Sequence, residues 1–123
     1  MCNKISNPND KKYDLLERTA IFGENIIEFV KTIKKDEINR PLINQIIRSG
    51  TSIGANYCEA DAGESKKDFR HKLAICRKEA KETMYWLRMI AKIELNKKIV
   101  CRELWKECQQ LVFIFSAIIS KTK

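Results

Sequence analysis

Between residues 66 and 92 the sequence carries Lys66, Lys67, Arg70, Arg77, Lys78, Lys81, Arg88 and Lys92 in a stretch without Gly or Pro. Wound as an α-helix at about 100° per residue, all eight fall within an arc of about 120°. No carboxylate shares that arc, because Asp68, Glu79, Glu82 and Glu94 point elsewhere. At a rise of about 1.5 Å per residue the stripe is about 39 Å long, the reach of a row of phosphates or of one face of an RNA helix. Its chemistry would be ionic, with lysine and arginine releasing counterions from a phosphate backbone and reading no base sequence. A solvated helix face is the competing reading, but such faces commonly mix signs for i,i+4 pairing. Tyr85 and Ala74 lie in the same arc. A tyrosine there either stacks on an unpaired base or covers neighbouring aliphatic stems.

A second constellation is the polar row Arg48, Ser52, Asn56 and Glu59, set opposite an apolar face of Leu42, Ile46, Gly50, Ile53, Gly54 and Tyr57. It reads either as a solvated stripe or as a surface on which a neighbouring subunit forms hydrogen bonds. The small residues Ser49, Gly50, Thr51, Ser52, Gly54 and Ala55 would let another helix approach closely. They do not form a phosphate loop, since the Gly-x4-Gly-Lys-Ser/Thr spacing and a preceding strand are both missing.

Catalytic chemistry finds no set of residues. His71 is the only histidine and has no Cys at metal-ligand spacing beside it. Glu79 and Glu82 are paired carboxylates without a nucleophile or metal ligand. The five cysteines, Cys2, Cys58, Cys76, Cys101 and Cys108, are odd in number and include no CxxC pair. They read as reduced, buried thiols of a cytoplasmic protein. Neither a cofactor nor a metal is implied, and an enzyme is not expected.

The elements that must position these residues follow from periodicity. Four helices are expected at roughly 10–34, 41–62, 65–95 and 100–120, with boundaries uncertain by about 2–4 residues. In the first, Leu16, Ala20, Gly23, Ile27 and Val30 form the expected apolar stripe. Pro41 reads as a first-turn residue of the second, and Gly63 as its stop. Ser65, with Asp68 three residues on, reads as the cap of the third. In the fourth, Leu104, Cys108, Leu111, Phe115 and Ile118 share a side. Short connections make sequential helices antiparallel neighbours, so the expected fold is all-α, an antiparallel up-down-up-down four-helix bundle. One domain over residues 1–123 is expected, with 1–9 a flexible tail. The third helix also carries Ile75, Trp86, Met89 and Ile93 away from its main face, and the fourth carries Phe113 and Ile114. Such surface suits either a partner or the wide buried arc of a bundle helix.

At the second helix the sequence becomes recognisable. The run RSGTSIGANYCEA, Arg48 to Ala60, closely resembles the signature of the four-helix bundle proteins encoded in intervening sequences of bacterial 23S rRNA genes. SKKDFRHKLAICRKEAKETMYWL, Ser65 to Leu87, continues the match, as does the closing LVFIFSAIIS. The resemblance runs from Tyr13 onward. It implies a four-helix bundle, commonly a ring-like homopentamer, and most members have no assigned activity. A related branch comprises accessory proteins of diversity-generating retroelements, basic pentamers that bind a reverse transcriptase and nucleic acid. Arg48, Ser52, Asn56 and Glu59 are among the residues that carry the resemblance, which favours the subunit-interface reading of their row.

Bulk properties set the limits. With 44% hydrophobic and 33% charged residues the chain is globular rather than disordered. No apolar h-region and no membrane-length apolar run is visible. A net charge of +8 favours an anionic partner. Two functions are therefore expected in competition: an oligomeric module that binds RNA or DNA, or a protein-interaction scaffold whose charge serves only solubility.

Overall fold

The computed structural model of the chain describes residues 11–63 and 65–122, the side chains of 11–14 excepted. Its elements are α1 (Lys11–Lys31), α2 (Asn39–Asp61), α3 (Lys66–Ile93) and α4 (Lys98–Lys121), with a 3-10 turn over Leu95–Lys97 leading into α4. No strand occurs among the described residues. The expected tail at 1–9 lies outside them. α1 packs on α2, α2 on α3 and α3 on α4, whereas α1 and α4 meet only lightly. The result is an antiparallel up-down-up-down bundle with α2 and α3 at its centre of packing and a looser α1/α4 seam.

Local chemistry explains the boundaries. Ser65 is extended, and its hydroxyl accepts a hydrogen bond from the Asp68 N–H at 3.1 Å, which starts α3. α2 begins at Asn39, two residues before Pro41. Its start signal is Asp36, whose carboxylate accepts from the N–H groups of Ile38 and Asn39 at 3.1 and 2.8 Å. The same turn closes α1: Lys35 Nζ donates to the carbonyls of Val30 and Ile33, satisfying acceptors that a helix end leaves open. α2 ends without a left-handed glycine, because Gly63 has no positive φ.

The core is one cluster drawn from all four helices. Its fully buried side chains include Phe22, Ile26, Ile46, Ile53, Leu73, Leu87, Leu111 and Phe115. The stripe expected on α1 needs correction. Ala20 and Ile27 face solvent, and Leu15, Thr19, Phe22, Ile26, Phe29 and Ile33 take the core instead, beside Leu16 and Val30. Two apolar rows compete on this helix, and the row with two phenylalanines buries more apolar area. Cys101 and Cys108 are core filler, as their positions on the buried side of α4 imply. Ile118 packs against the core from its edge. Trp86 and Ile114 also pack against the core, which absorbs part of the extra apolar surface, while Ile93 and Phe113 remain exposed.

The small residues of α2 receive α1. A Cβ on Gly50 would lie 2.9 Å from Ile26 Cγ1, and one on Gly54 would lie 3.3 Å from the Thr19 carbonyl. A Cβ on Gly23 would meet Thr51 Cα at an ordinary 3.6 Å. Alanine favours a helix interior over glycine by about 1 kcal/mol. Gly23→Ala is therefore expected to raise stability by up to about 1 kcal/mol. Gly50→Ala should lower it by about 1–3 kcal/mol, because the fully buried Ile26 cannot withdraw. Urea unfolding midpoints of the two variants check this opposite pair of signs.

Candidate nucleic-acid interface

α3 is long enough to carry the whole cationic row, since it spans 28 residues without interruption. Lys66, Lys67, Lys78, Lys81, Arg88 and Lys92 are exposed along it. Arg70 and Arg77 are half-buried at the edge of the row. Arg77 Nη1 donates to Ser116 Oγ of α4 at 3.2 Å, so this border of the row lies against α4. Arg70 Nε is buried without a hydrogen-bond partner among the described residues. None of the eight is in an ion pair with a carboxylate among the described residues. Tyr85 is 54% exposed in the same row, with its ring edge-on to Trp86 at 5.1 Å.

Two acids of α3, Glu79 and Glu82, are held by α2. Arg48 of α2 donates from Nη1 to Glu79 at 3.0 Å and from Nη2 to Glu82. Two carboxylates three residues apart on one helix face suit the two arms of a guanidinium. The Glu79 side chain is only 11% exposed, so Arg48 supplies hydrogen bonding that water cannot. The same contact, led by the hydrogen bond that Arg48 donates to Glu79, holds the Arg48 guanidinium above its ordinary pKa. Glu82 borders a shallow depression shared with Arg77, Lys78, Lys81 and Tyr85. Arg48 therefore neutralises the one acid that stands beside the basic row. Beneath this fork lies a buried polar contact. Thr83 Oγ1 is 2.8 Å from both Ser49 Oγ and the Glu79 carbonyl. One hydroxyl proton cannot serve both, so Thr83 donates to the carbonyl and Ser49 donates to Thr83.

The polar row of α2 is therefore not opposite its core, as expected from the sequence, but along the edge that faces α3. Arg48 reaches Glu79 and Glu82, and Glu59 accepts from Lys72. Ser52 donates to the Arg48 carbonyl and Asn56 to the Ser52 carbonyl, both within α2. The reason is reach: a long side chain on the flank of a helix bends toward an opposite charge on its neighbour. Within one chain, the row is a seam between α2 and α3.

Three cations on α4 were missed at the sequence level. Lys98, Arg102 and Lys106 are exposed at four-residue spacing, and with Arg88 they line the groove between α3 and α4. Their i, i+4, i+8 spacing places them on one face of α4 and is visible in the sequence. On the opposite flank of α4, Glu103 and Glu107 line the α1/α4 groove with Glu28. There Glu107 accepts two hydrogen bonds from Arg18, at 2.7 and 2.8 Å, which bridge the loose seam.

Of the thiols expected to be buried, Cys58 is exposed on α2, whereas Cys76, Cys101 and Cys108 are enclosed. His71 is exposed, and no group of three or more His, Cys, Asp or Glu among the described residues could hold a metal ion. Burial pushes the Cys76 thiol up to about 12 and that of Cys101 to about 11, with Cys108 raised further by the same desolvation. Such thiols are protonated at neutral pH and poor nucleophiles. No helix among the described residues is long and apolar enough to cross a membrane.

This combination of helix order and signature residues has a counterpart. The sequence model of the 23S rRNA-intervening sequence proteins matches residues 11–117. The chain belongs to this family. A crystal structure of a protein of unknown function from the S23 ribosomal protein family of Bacteroides thetaiotaomicron superposes with a TM-score of 0.82 at 31% identity. That likeness covers 89% of this chain and 98% of the other. No curated protein matches the sequence. The family match includes all of α2 and α3, so the Arg48 fork and the cationic row both lie inside the shared region.

Arg48→Met should leave Glu79 as a buried carboxylate without its partner and cost about 1–3 kcal/mol of unfolding free energy. Adding Glu79→Gln and Glu82→Gln to that variant should recover much of the loss. Urea unfolding of the single and triple variants measures it, and a silent Arg48→Met would show that the fork is not structural.

Proposed function

We propose that this protein is a non-enzymatic, oligomeric four-helix bundle of the cytoplasm that binds nucleic acid without sequence preference through the basic face of α3. The observation that carries the reading is segregation of sign. α3 sends Glu79 to Arg48 of α2 and leaves its cationic row without ion-pair partners among the described residues. A row that served solubility alone would gain from interleaved acids. Lys98, Arg102 and Lys106 extend the same sign across to α4.

Assembly would multiply a weak site. A single row touching a few phosphates binds loosely, and several copies in a ring raise the effective concentration of the next. The resemblance implies a homopentamer, with Arg48, Ser52, Asn56 and Glu59 at the subunit contact. Their charges already have partners within the chain, so a neighbour would dock on a neutralised polar seam, which costs less to desolvate than free charge.

A second reading is the protein-interaction scaffold. It draws on exposed apolar side chains at the end of the bundle where α3 turns into α4: Ile93, Leu95, Ile99 and Val100.

Electrophoretic shift titrations across a range of salt separate the two readings. Binding to RNA and DNA of unrelated sequence should weaken with salt, with a slope of about −0.9 per neutralised phosphate on duplex DNA and about −0.7 on single strands. Reversing Lys78 and Lys81 to Glu should weaken every sequence alike and flatten the slope. Absence of binding at ~50 mM salt leaves the scaffold reading in place. Light scattering should give the mass of a ring, and Asn56→Leu or Glu59→Lys should lower the assembled fraction. A monomer at high micromolar concentration would end the assembly proposal.

A further inference from the structure

The groove between α3 and α4 differs from the rest of the basic surface in having a floor. Leu87 and Cys101 are buried at its base, and Ala91 is half-buried beside them. Trp105 lies half-buried on its wall. Around this apolar strip stand Arg88, Lys98, Arg102 and Lys106, and no carboxylate among the described residues lines the groove. Its volume is about 460 Å³. The companion groove on the other flank of α4 has a similar volume, about 500 Å³, but its lining carries Glu28, Glu103 and Glu107 against a single cation, Lys97. α4 thus divides an acidic groove from a basic one. Of these two grooves, the basic one pairs an aromatic wall with cations that have no ion-pair partner among the described residues.

We infer that this groove takes an unpaired base of a single-stranded nucleic acid, with Trp105 as the stacking surface and Arg88, Lys98, Arg102 and Lys106 on the flanking phosphates. The inference rests on the nucleic-acid reading and adds a preference to it. A duplex buries the faces of its bases and can offer this groove only phosphate, which has no use for an indole. A single strand offers phosphate and an open π-face together, and stacking on an aromatic side chain is tolerant of sequence. An acidic peptide would satisfy the cations but leave the indole and the apolar floor unmatched.

The test compares affinities for a uridine oligonucleotide and for a duplex of equal length, in wild type, Trp105→Leu and Trp105→Phe. Trp105→Leu should weaken oligonucleotide binding by about tenfold, the value of one lost stacking contact, and change duplex binding by less than about twofold. Trp105→Phe, which keeps an aromatic face, should retain most of the preference. Because the chain has only two tryptophans, Trp86→Phe isolates Trp105 as the fluorophore, and its emission should quench on adding the oligonucleotide. Circular dichroism establishes that each variant is folded. Should Trp105→Leu be unfolded, quenching of Trp86→Phe by the oligonucleotide and not by the duplex remains the readout. Equal losses for both ligands, or none for either, would overturn the single-strand inference and leave general nucleic-acid binding intact. Failure of wild type to bind any nucleic acid removes both. If polyglutamate binds as tightly as the oligonucleotide and depends equally on Trp105, or if Trp105→Leu dissolves the oligomer in the absence of nucleic acid, the groove is a protein contact and the inference is wrong.

Discussion

The Arg48 guanidinium, held between Glu79 and Glu82, is the contact on which the rest of this structure turns. Glu79 is nearly enclosed by the bundle, and an enclosed carboxylate is tolerable only with a partner. Arg48 supplies it across the α2/α3 seam and fixes the register of the two helices. Ser49 and Thr83, one residue and one turn away, share a buried hydrogen bond that only this register permits. The same contact has an electrostatic effect at a distance. It neutralises Glu79 and Glu82, which helical spacing already sets outside the cationic row of α3. One interhelical contact therefore serves packing and the sign of the surface together.

A second constraint acts between α1 and α2. At Gly50 and Gly54 the two helices approach until a methyl group would collide with Ile26 or the Thr19 backbone. Such closeness extends contact along the whole seam and compensates for glycine's poor helix propensity. α4 has no comparable partner on its α1 side. The bidentate Arg18–Glu107 pair and a long groove replace packed side chains there. The bundle is thus tight from α1 through α2 and α3 to α4, and open at the α1/α4 seam. The acidic groove lies along that open seam, whereas the basic one lies at the surface of the packed α3/α4 pair.

Much of this was legible in the residues. Helix existence, order and class follow from a 3.6-residue repeat in a chain with almost no Gly or Pro inside its long stretches. Ser65 with Asp68 announced the start of α3 by chemistry that operates within a single turn. The cationic row on α3 was also readable, because angular position on one helix needs no knowledge of its neighbours. The same arithmetic was available for Lys98, Arg102 and Lys106.

What the sequence could not settle is which of several compatible faces meets which neighbour. Two apolar rows of α1 had nearly equal claims to the core, and only packing against α2 chose the one through Phe22, Ile26 and Phe29. Arg48 and Glu59 looked as though they faced away from the bundle because a wheel records where a Cβ points, not where a long side chain ends. Their partners, Glu79, Glu82 and Lys72, are on another helix. The pairing of Arg88 with Trp105 and Arg102 across one groove is likewise absent from either helix alone. The sequence by itself determined the helices and the charge each face carries, since both are local. The tertiary structure decided which charges are neutralised and which grooves remain, since both depend on distances between helices.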